Sequence, residues 1–195
     1  MARSAKMSKE QAIRSAINAF WRYGYSAMGV RRLEEETGIN RFMLQTVFGG
    51  KGGIFFLVLD EYTLLFKNLL LDPLAKGDIS NVQEFFELRT TDNSFTKPEY
   101  GCLIINTLLE DLVNEPEIRK RVNKHFSLMR QSFSSALKNE MAKGTLHDNF
   151  EPNKASEFLM NTAVGLNVVM RNDGSNQNAL LTLEMVKNTL RSWKK

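Results

Sequence analysis

Apolar residues recur every three or four positions along most of this chain, which is the spacing of one face of an α-helix. In the first such segment, Ser8 and Gln11 have the spacing of a capping box, and Gly24 follows at the expected end. No run alternates apolar and polar residues long enough to predict a strand. The pattern predicts an all-α protein of about nine helices.

Two short helices follow the first one. The pattern predicts them over about Val30–Glu36 and Arg41–Val47, separated by the break Thr37-Gly38-Ile39-Asn40. Two short helices joined by a tight glycine-containing turn, with another helix before them, are the arrangement of a helix-turn-helix protein. We therefore predict a helix-turn-helix DNA-binding domain over residues 1–53, with the motif itself at about 29–48.

The remainder, residues 54–195, is predicted to be a helical body. The glycines of Gly49–Gly53 predict a flexible connector, followed by a long apolar helix over about 54–71 that ends before Asp72-Pro73. Ser80 can cap the next helix, and a further apolar helix is expected over Cys102–Val113. Pro116 and Pro152 are expected to open two long helices, because proline is tolerated in a first turn.

Charge is concentrated in the predicted DNA-binding domain. The net charge of the chain is +4, but residues 1–51 hold nine Lys or Arg against four acids, a net of +5, so residues 52–195 carry −1. A basic end on a near-neutral body favours a polyanion-binding head. A solvated basic N-terminal helix is the alternative reading of the same charges.

The predicted second helix of the motif has one apolar and one polar side. Leu44, Val47 and Phe48 are expected to face inward, and the opposite side can meet DNA, because Asn, Gln and Arg bond base edges or phosphates. A helical hairpin with solvated polar residues is the alternative. The predicted DNA-binding residues are Arg31, Arg32, Asn40, Arg41, Phe42, Gln45, Thr46 and Lys51.

These segments resemble the N-terminal domain of TetR/AcrR-type transcriptional regulators over about Ala12 to Tyr62. The residues that carry the resemblance are Gly24-Tyr25, Val30-Arg31-Arg32-Leu33, Thr37 to Leu44, Phe48-Gly49-Gly50-Lys51 and Ile54-Phe55. Gly101-Cys102-Leu103, Asn106, Glu110 and Pro116-Glu117-Ile118 resemble ligand domains of one branch of that family.

The resemblance implies an all-helical homodimer that represses transcription at an operator in double-stranded DNA until a small effector releases it. It places Arg31 at a base-contacting position, Asn40, Arg41 and Phe42 at the start of the recognition helix, and Lys51 on phosphate. Two departures are visible. Gln45 stands where the family usually has Tyr, and Met28-Gly29 replaces the usual hydroxyl residue before the second helix.

Dimerisation and effector binding are expected in residues 54–195. The last two long helices are the implied dimer surface, with the alternative that their apolar stripes are entirely intrachain core. The predicted interface residues are Phe158, Leu166, Val169, Leu183, Val186 and Leu190. The predicted pocket residues, each also readable as plain core, are Phe66, Phe85, Phe86, Cys102, Phe126, Met129, Phe133 and Phe158. Cys102 is either a buried core residue or, as the resemblance raises, a thiol sensor.

Other classes of protein are disfavoured. The sequence shows no nucleophile–base constellation, and Lys51 is followed by glycine rather than by the Ser or Thr of a phosphate-binding loop, so we expect neither an enzyme nor a cofactor. One cysteine and two histidines at wide spacing predict no metal site, and no apolar run is long enough for a membrane span, so we expect a cytoplasmic protein. A non-specific architectural DNA binder and a helical adaptor remain as alternatives.

Overall fold

A computed structural model describes residues 7–91 and 96–195, apart from the side chains at 111 and 113. The predicted all-α fold is confirmed, and these residues form nine helices if the continuous pair α4 and α5 is counted once. The helices are α1 Lys9–Tyr23, α2 Val30–Thr37, α3 Arg41–Phe48, α4 Lys51–Phe66, α5 Asp72–Lys76, α6 Ile79–Thr90, α7 Leu103–Leu109, α8 Pro116–Ala142, α9 Pro152–Asp173 and α10 Gln177–Ser192.

The first helix begins and ends where the sequence predicts. Ser8 Oγ accepts from the Gln11 amide at 3.2 Å, and Gln11 Oε1 accepts from the Ser8 amide at 2.9 Å. Gly24 ends α1 with a φ of +78°, a conformation that side chains other than glycine rarely adopt.

The glycine-rich segment after α3 is not the flexible connector that its composition predicts. Gly49 and Gly50 form the turn with φ of +70° and +100°, and α4 begins at once with Lys51. A Cβ on Gly53 would lie 1.7 Å from the Phe48 carbonyl oxygen. Glycine at this position is therefore what allows α4 to leave α3 at such close range.

Three other predicted boundaries are corrected. Helix α4 does not end before Pro73, because a π-helical turn, Lys67–Leu71, widens the helix just ahead of the proline ring and carries it into α5. Asp78, not Ser80, caps α6, since its carboxylate accepts from the Ser80 amide at 2.8 Å. The helix predicted over Cys102–Val113 is interrupted at Glu110, which takes an extended conformation.

One hydrophobic core runs through the described residues, from α1 to α10. Phe20 of α1 packs on Phe55 of α4 with ring centroids 4.8 Å apart, and Trp21 meets Tyr62 edge-on at 5.5 Å. The other side of α4 packs on α8, and α8 packs on α9. Helix α4 therefore belongs to the core of both the N-terminal three-helix unit (the head, residues 7–50) and the body that follows.

Candidate nucleic-acid interface

The inner side of the helix-turn-helix motif is buried. Leu33 of α2, Ile39 of the turn and Leu44 of α3 are almost completely inaccessible to solvent. Gly38 ends α2 with a φ of +73°, and Asn40 caps α3 by accepting from the Met43 amide at 2.8 Å. The turn and both helix ends are thus fixed by local chemistry, which sets the direction of α3.

The outer side of the motif carries the predicted DNA-binding side chains. Seven of the eight residues are exposed, and Lys51 is half-buried. Phe42 is 77 % exposed, which is unusual for a phenylalanine. The inward orientation predicted for Val47 is wrong, because this side chain is exposed and adds a second apolar group to the surface.

Several of these side chains are held by neighbours within the head. Arg31 Nε bonds Glu35 Oε1 at 2.8 Å, and the Arg32 guanidinium lies 3.9 Å from the centre of the Tyr23 ring. Thr46 Oγ1 donates to the Phe42 carbonyl at 2.7 Å. These exposed contacts are weak enough to be exchanged for a phosphate or a base.

Lys51 forms a fixed cation beside the end of α3. Its Nζ donates to the Tyr25 carbonyl at 3.1 Å and lies 3.9 Å from the centre of the Tyr25 ring. Partial burial lowers the pKa of Lys51 below its ordinary value. Lys51 is also the first residue of α4, and the N-terminus of a helix favours an anion.

The Glu110 carboxylate of the body also holds the loop between α1 and α2. Glu110 accepts from the Tyr25 amide at 3.1 Å, from the Ser26 amide at 2.8 Å and from Ser26 Oγ at 2.7 Å. A Cβ on Gly24 would lie 2.8 Å from the Glu110 Oε1 atom. The extended backbone that interrupts the predicted helix at Glu110 therefore has a role, since it presents this carboxylate to the head.

A second connection holds the last turn of α1. Trp21 Nε1 donates to the Gly101 carbonyl at 3.3 Å, and Arg171 of α9 donates to the carbonyls of Trp21 at 3.4 Å and Tyr100 at 3.1 Å. The sequence pattern singles out Gly101 and Glu110 but predicts no contact of theirs with the head, and it gives no signal for Arg171. No spacing rule relates residues that are so far apart in the chain.

Most of the predicted pocket residues lie together inside the body. Phe66, Phe85 and Phe133 are buried. The ring of Phe85 lies 6.2 Å from that of Phe66 and 5.0 Å from that of Phe133, between centroids. Phe126 is half-buried. Phe86 and Met129 are also buried. The prediction is wrong for Phe158, which lies on the outside of α9 against Trp193, with ring centroids 6.3 Å apart.

Cys102 precedes α7 and is 1 % exposed. A sensor thiol needs access to its reactant, so this placement favours the core reading of Cys102.

Four of the predicted interface residues are corrected by the structure. Leu166, Leu183, Val186 and Leu190 are buried within the protomer itself, so their side chains are core and not available to a partner. Phe158 and Val169, by contrast, are exposed. Helical periodicity identifies the stripe that faces the chain's own core and cannot show that a second stripe faces outward.

The described residues were compared with what a metal site and a membrane span require. No cluster of three or more His, Cys, Asp or Glu side chains able to hold a metal ion occurs in that part of the chain. No single helix there is long and apolar enough to span a membrane, although α3 and α4–α5, bent by 69°, pass on length and composition if they are taken together.

A three-helix head with a capped, outward-facing α3, joined to an all-helical body, defines a helix-turn-helix regulator. Residues 82–185 match the family model described as the tetracyclin repressor-like C-terminal domain. The chain belongs to this family, and it is a DNA-binding transcriptional regulator.

Similar proteins agree with this assignment. The chain is 25 % identical over 190 residues to the HTH-type transcriptional repressor ComR of Escherichia coli, covering 95 % of this chain and 88 % of ComR. The TetR-family regulator CifR, a cysteine mutant solved with 26-bp double-strand operator DNA, matches with a TM-score of 0.78 at 22 % identity, over 98 % of this chain and all 100 % of that one. A TetR-family regulator from Cytophaga hutchinsonii matches with a TM-score of 0.80 at 14 % identity, over 97 % and 98 % of the two chains.

Proposed function

We propose that the protein is a cytoplasmic homodimeric repressor that binds a palindromic operator through α3 of each protomer and is released by a small effector. The observation that carries the proposal is the two-sided character of α3. Its inner side is fixed in the head by Leu44 and Phe48, while its outer side presents polar side chains beside a basic helix start. An α-helix of this kind fits the major groove, and two of them about 34–36 Å apart read two half-sites.

Each exposed side chain has a role that suits its chemistry. Arg41 and Gln45 lie one turn apart on the exposed side of α3 and can bond base edges, and Phe42 can contact a thymine methyl group. Asn40 still has its amide nitrogen to donate, because only its oxygen is used in the cap. Arg31, Arg32, Thr46 and Lys51 are assigned to phosphate or nearby base contacts.

We assign the dimer contact to the outer stripes of α9 and α10. Six exposed apolar side chains share these two helices, namely Phe158, Val168, Val169, Leu180, Leu181 and Met185. Gly165 lies within the α9 stripe, and a Cβ there would meet nothing within 4 Å. An apolar surface of this kind on two adjacent helices is typical of a helix-bundle interface, and the glycine permits close approach.

The effector is proposed to bind beside the buried aromatic side chains of the body. It releases DNA only if it binds the DNA-incompetent arrangement more tightly than the competent one. The Glu110 and Trp21 contacts, together with α4, are the physical connections through which such a preference can move the heads. The repressor name of ComR and the operator complex of CifR support the direction of this regulation.

The test is binding of the purified chain to DNA fragments that flank its own reading frame, followed by fluorescence anisotropy. Arg41→Ala should weaken operator binding by about 1–3 kcal/mol, the usual range for an arginine that bonds a base. Lys138→Ala removes the same charge from the exposed side of α8 and should leave the affinity within about twofold, because it lies in the body and not among the predicted DNA-binding residues.

Unrelated DNA of equal length separates a specific regulator from an architectural DNA binder. The operator should be preferred by about a thousandfold or more, and equal binding to both would establish the architectural alternative instead. Arg41→Ala with unchanged affinity and salt dependence would show that α3 is not the recognition helix. An absence of salt-dependent binding to any duplex would leave the helical adaptor.

A further inference from the structure

The body buries one positive charge without a matching negative charge. Arg89, in the last turn of α6, is 1 % exposed, and no carboxylate of the described residues forms an ion pair with it. Its Nη2 donates to the Gly101 carbonyl at 3.3 Å and to Asn167 Oδ1. The Nε and Nη1 atoms have no hydrogen-bond partner among those residues. A buried guanidinium satisfied on one nitrogen only is strongly unfavourable unless an anion completes it.

A second unpartnered nitrogen lies close to this arginine. The ring of Phe66 lies 5.5 Å from the Arg89 guanidinium and 4.8 Å from the His125 ring, so Phe66 is a shared neighbour of both. His125 is fully buried, and its Nε2 has no partner among the described residues. Its Nδ1 lies 3.3 Å from Thr63 Oγ1. With the Thr63 hydroxyl donating to Nδ1, the neutral ring carries its proton on Nε2 and is a donor.

Burial first, and then the charge of Arg89, lower the pKa of His125 to about 3. The ring is therefore neutral under physiological conditions, and Arg89 supplies the only full charge of the pair. Donors flanking an aromatic ring match a ligand with one negative group and an apolar remainder. A phosphate dianion would bring more charge than one guanidinium neutralises.

We propose that Arg89 is the anchor of an apolar monocarboxylic acid, which is the chemical class of the effector. This inference rests on the proposed function for its regulatory meaning and not for the binding itself. The Gly101 carbonyl that Arg89 bonds is also the acceptor of Trp21 Nε1 in α1. A carboxylate that draws the Arg89 guanidinium away from Gly101 therefore changes the bonding of a carbonyl that also holds Trp21 of the head.

The experiment uses three acids of different shape, benzoate, cinnamate and decanoate, each paired with its primary amide. Binding is followed by the emission of Trp21 in the full chain carrying Trp193→Phe, so that a single indole reports from beside Gly101. At least one acid should bind about tenfold or more tightly than its amide, because the amide keeps the shape and loses the charge. Arg89→Met should abolish that preference, and Arg89→Lys should keep part of it.

Each outcome decides the proposal. If all acids and amides bind equally, or no acid binds at millimolar concentration, the proposal is overturned. If Arg89→Met does not fold, the ratio of acid to amide affinity in the chain with Arg89 intact decides alone. Asp92 lies outside the described residues. The variant Asp92→Asn tests whether its carboxylate is an internal counter-ion of Arg89. Acid binding that appears only in this variant also overturns the proposal. Operator binding of the same samples separates the two claims, because an acid-insensitive protein that binds its operator contradicts only this inference.

Discussion

The head and the body differ in whether their buried polar side chains are fully hydrogen-bonded. In the described part of the head, Thr37 is the one buried polar side chain, and it is satisfied by bonds to the Leu33 carbonyl and the Ile39 amide. The body buries Arg89 and His125 with nitrogens that its described residues leave unpaired. The unpaired hydrogen-bonding groups of the head therefore lie on its surface, where an external partner can reach them. In the body, some of these groups lie in the interior.

The exposed apolar side chains make the same contrast. On α3, Phe42 and Val47 stand among arginine, glutamine and threonine, a mixture suited to a groove with polar edges and methyl groups. On α9 and α10 the exposed apolar residues form a surface of their own along the outer stripes of the two helices. A mixed surface suits DNA, whereas a uniform apolar surface suits another copy of the same helices.

The largest effect is expected at Gly53, where the backbones of α3 and α4 approach each other closely. Gly53→Ala should lower the free energy of unfolding by about 3 kcal/mol and abolish operator binding, because its Cβ would lie 1.7 Å from the Phe48 carbonyl oxygen. Circular dichroism during thermal unfolding measures the destabilisation, and anisotropy on operator DNA measures the function.

Gly52→Ala is the matched control for this prediction. A Cβ there would lie 3.7 Å from the Tyr25 hydroxyl oxygen, an ordinary contact, and alanine favours a helix over glycine. Its stability should be equal or higher. Equal stability of both variants would mean that α3 and α4 can separate freely, and the head would then not depend on their close approach.

The next effect tests the apolar surface of the body. Met185→Glu places a charge on the α10 stripe, at a side chain that is 64 % exposed in the protomer, and should raise the dimer dissociation constant about 100-fold. Met141→Glu makes the same change on α8, where the side chain is 47 % exposed, and should leave the dimer intact. Analytical ultracentrifugation across concentration measures both. Equal weakening by the two variants would remove α9 and α10 as the interface.

The sequence is sufficient for most of the head because its signals there are local. A capping box, glycines with positive φ and an asparagine cap each act within four residues, so α1, α2, the turn and α3 can be located without the structure. Gly53 reads as flexible in the sequence, since its role depends on a contact with Phe48 that only the folded chain shows.

The body is predicted less completely because its signals are not local. Leu183, Val186 and Leu190 do lie on one helical stripe, but periodicity cannot show whether a stripe faces the protomer or a partner. Likewise, Arg89 looks like an ordinary charged residue in the sequence. It is buried only in the folded chain, where its guanidinium bonds the Gly101 carbonyl and Asn167 and lies against the ring of Phe66.

The buried histidine of the body gives a third, pH-dependent effect. The pKa of His125 is lowered to about 3 by burial and by Arg89, whereas an unfolded histidine titrates near its ordinary pKa of 6.5. The unfolded chain therefore binds a proton that the folded chain does not, so the stability present above pH 6.5 is lost as the pH falls toward 3. Between about pH 7.5 and pH 5 the loss should be about 2 kcal/mol.

Urea unfolding at the two pH values measures this loss, and only the difference between them matters. His125→Asn should remove the pH dependence in this range, whatever it does to absolute stability. His147→Asn changes the exposed histidine and should keep the dependence of the unmodified chain. If His147→Asn removed the dependence instead, His125 would have to be accessible to protons in the folded state.

The smallest effect distinguishes two neighbouring candidates for one helix cap in the body. Asp78→Ala should lower the free energy of unfolding by about 1 kcal/mol, because it removes the bond to the Ser80 amide that caps α6. Ser80→Ala, at the position that the sequence pattern favours, should change stability very little.

The pH dependence of this cap has a sign that can be checked in the same experiment. The bond to Lys143, followed by the Ser80 amide, lowers the pKa of Asp78 to about 2 from its ordinary value of 3.8. The stabilisation is therefore complete above pH 3.8 and is lost as the pH falls through 2, so the difference between the unmodified chain and Asp78→Ala should shrink in that range. An Asp78→Ala variant as stable as Ser80→Ala at neutral pH would mean that α6 is held by its packing alone, as a helix buried along one side can be.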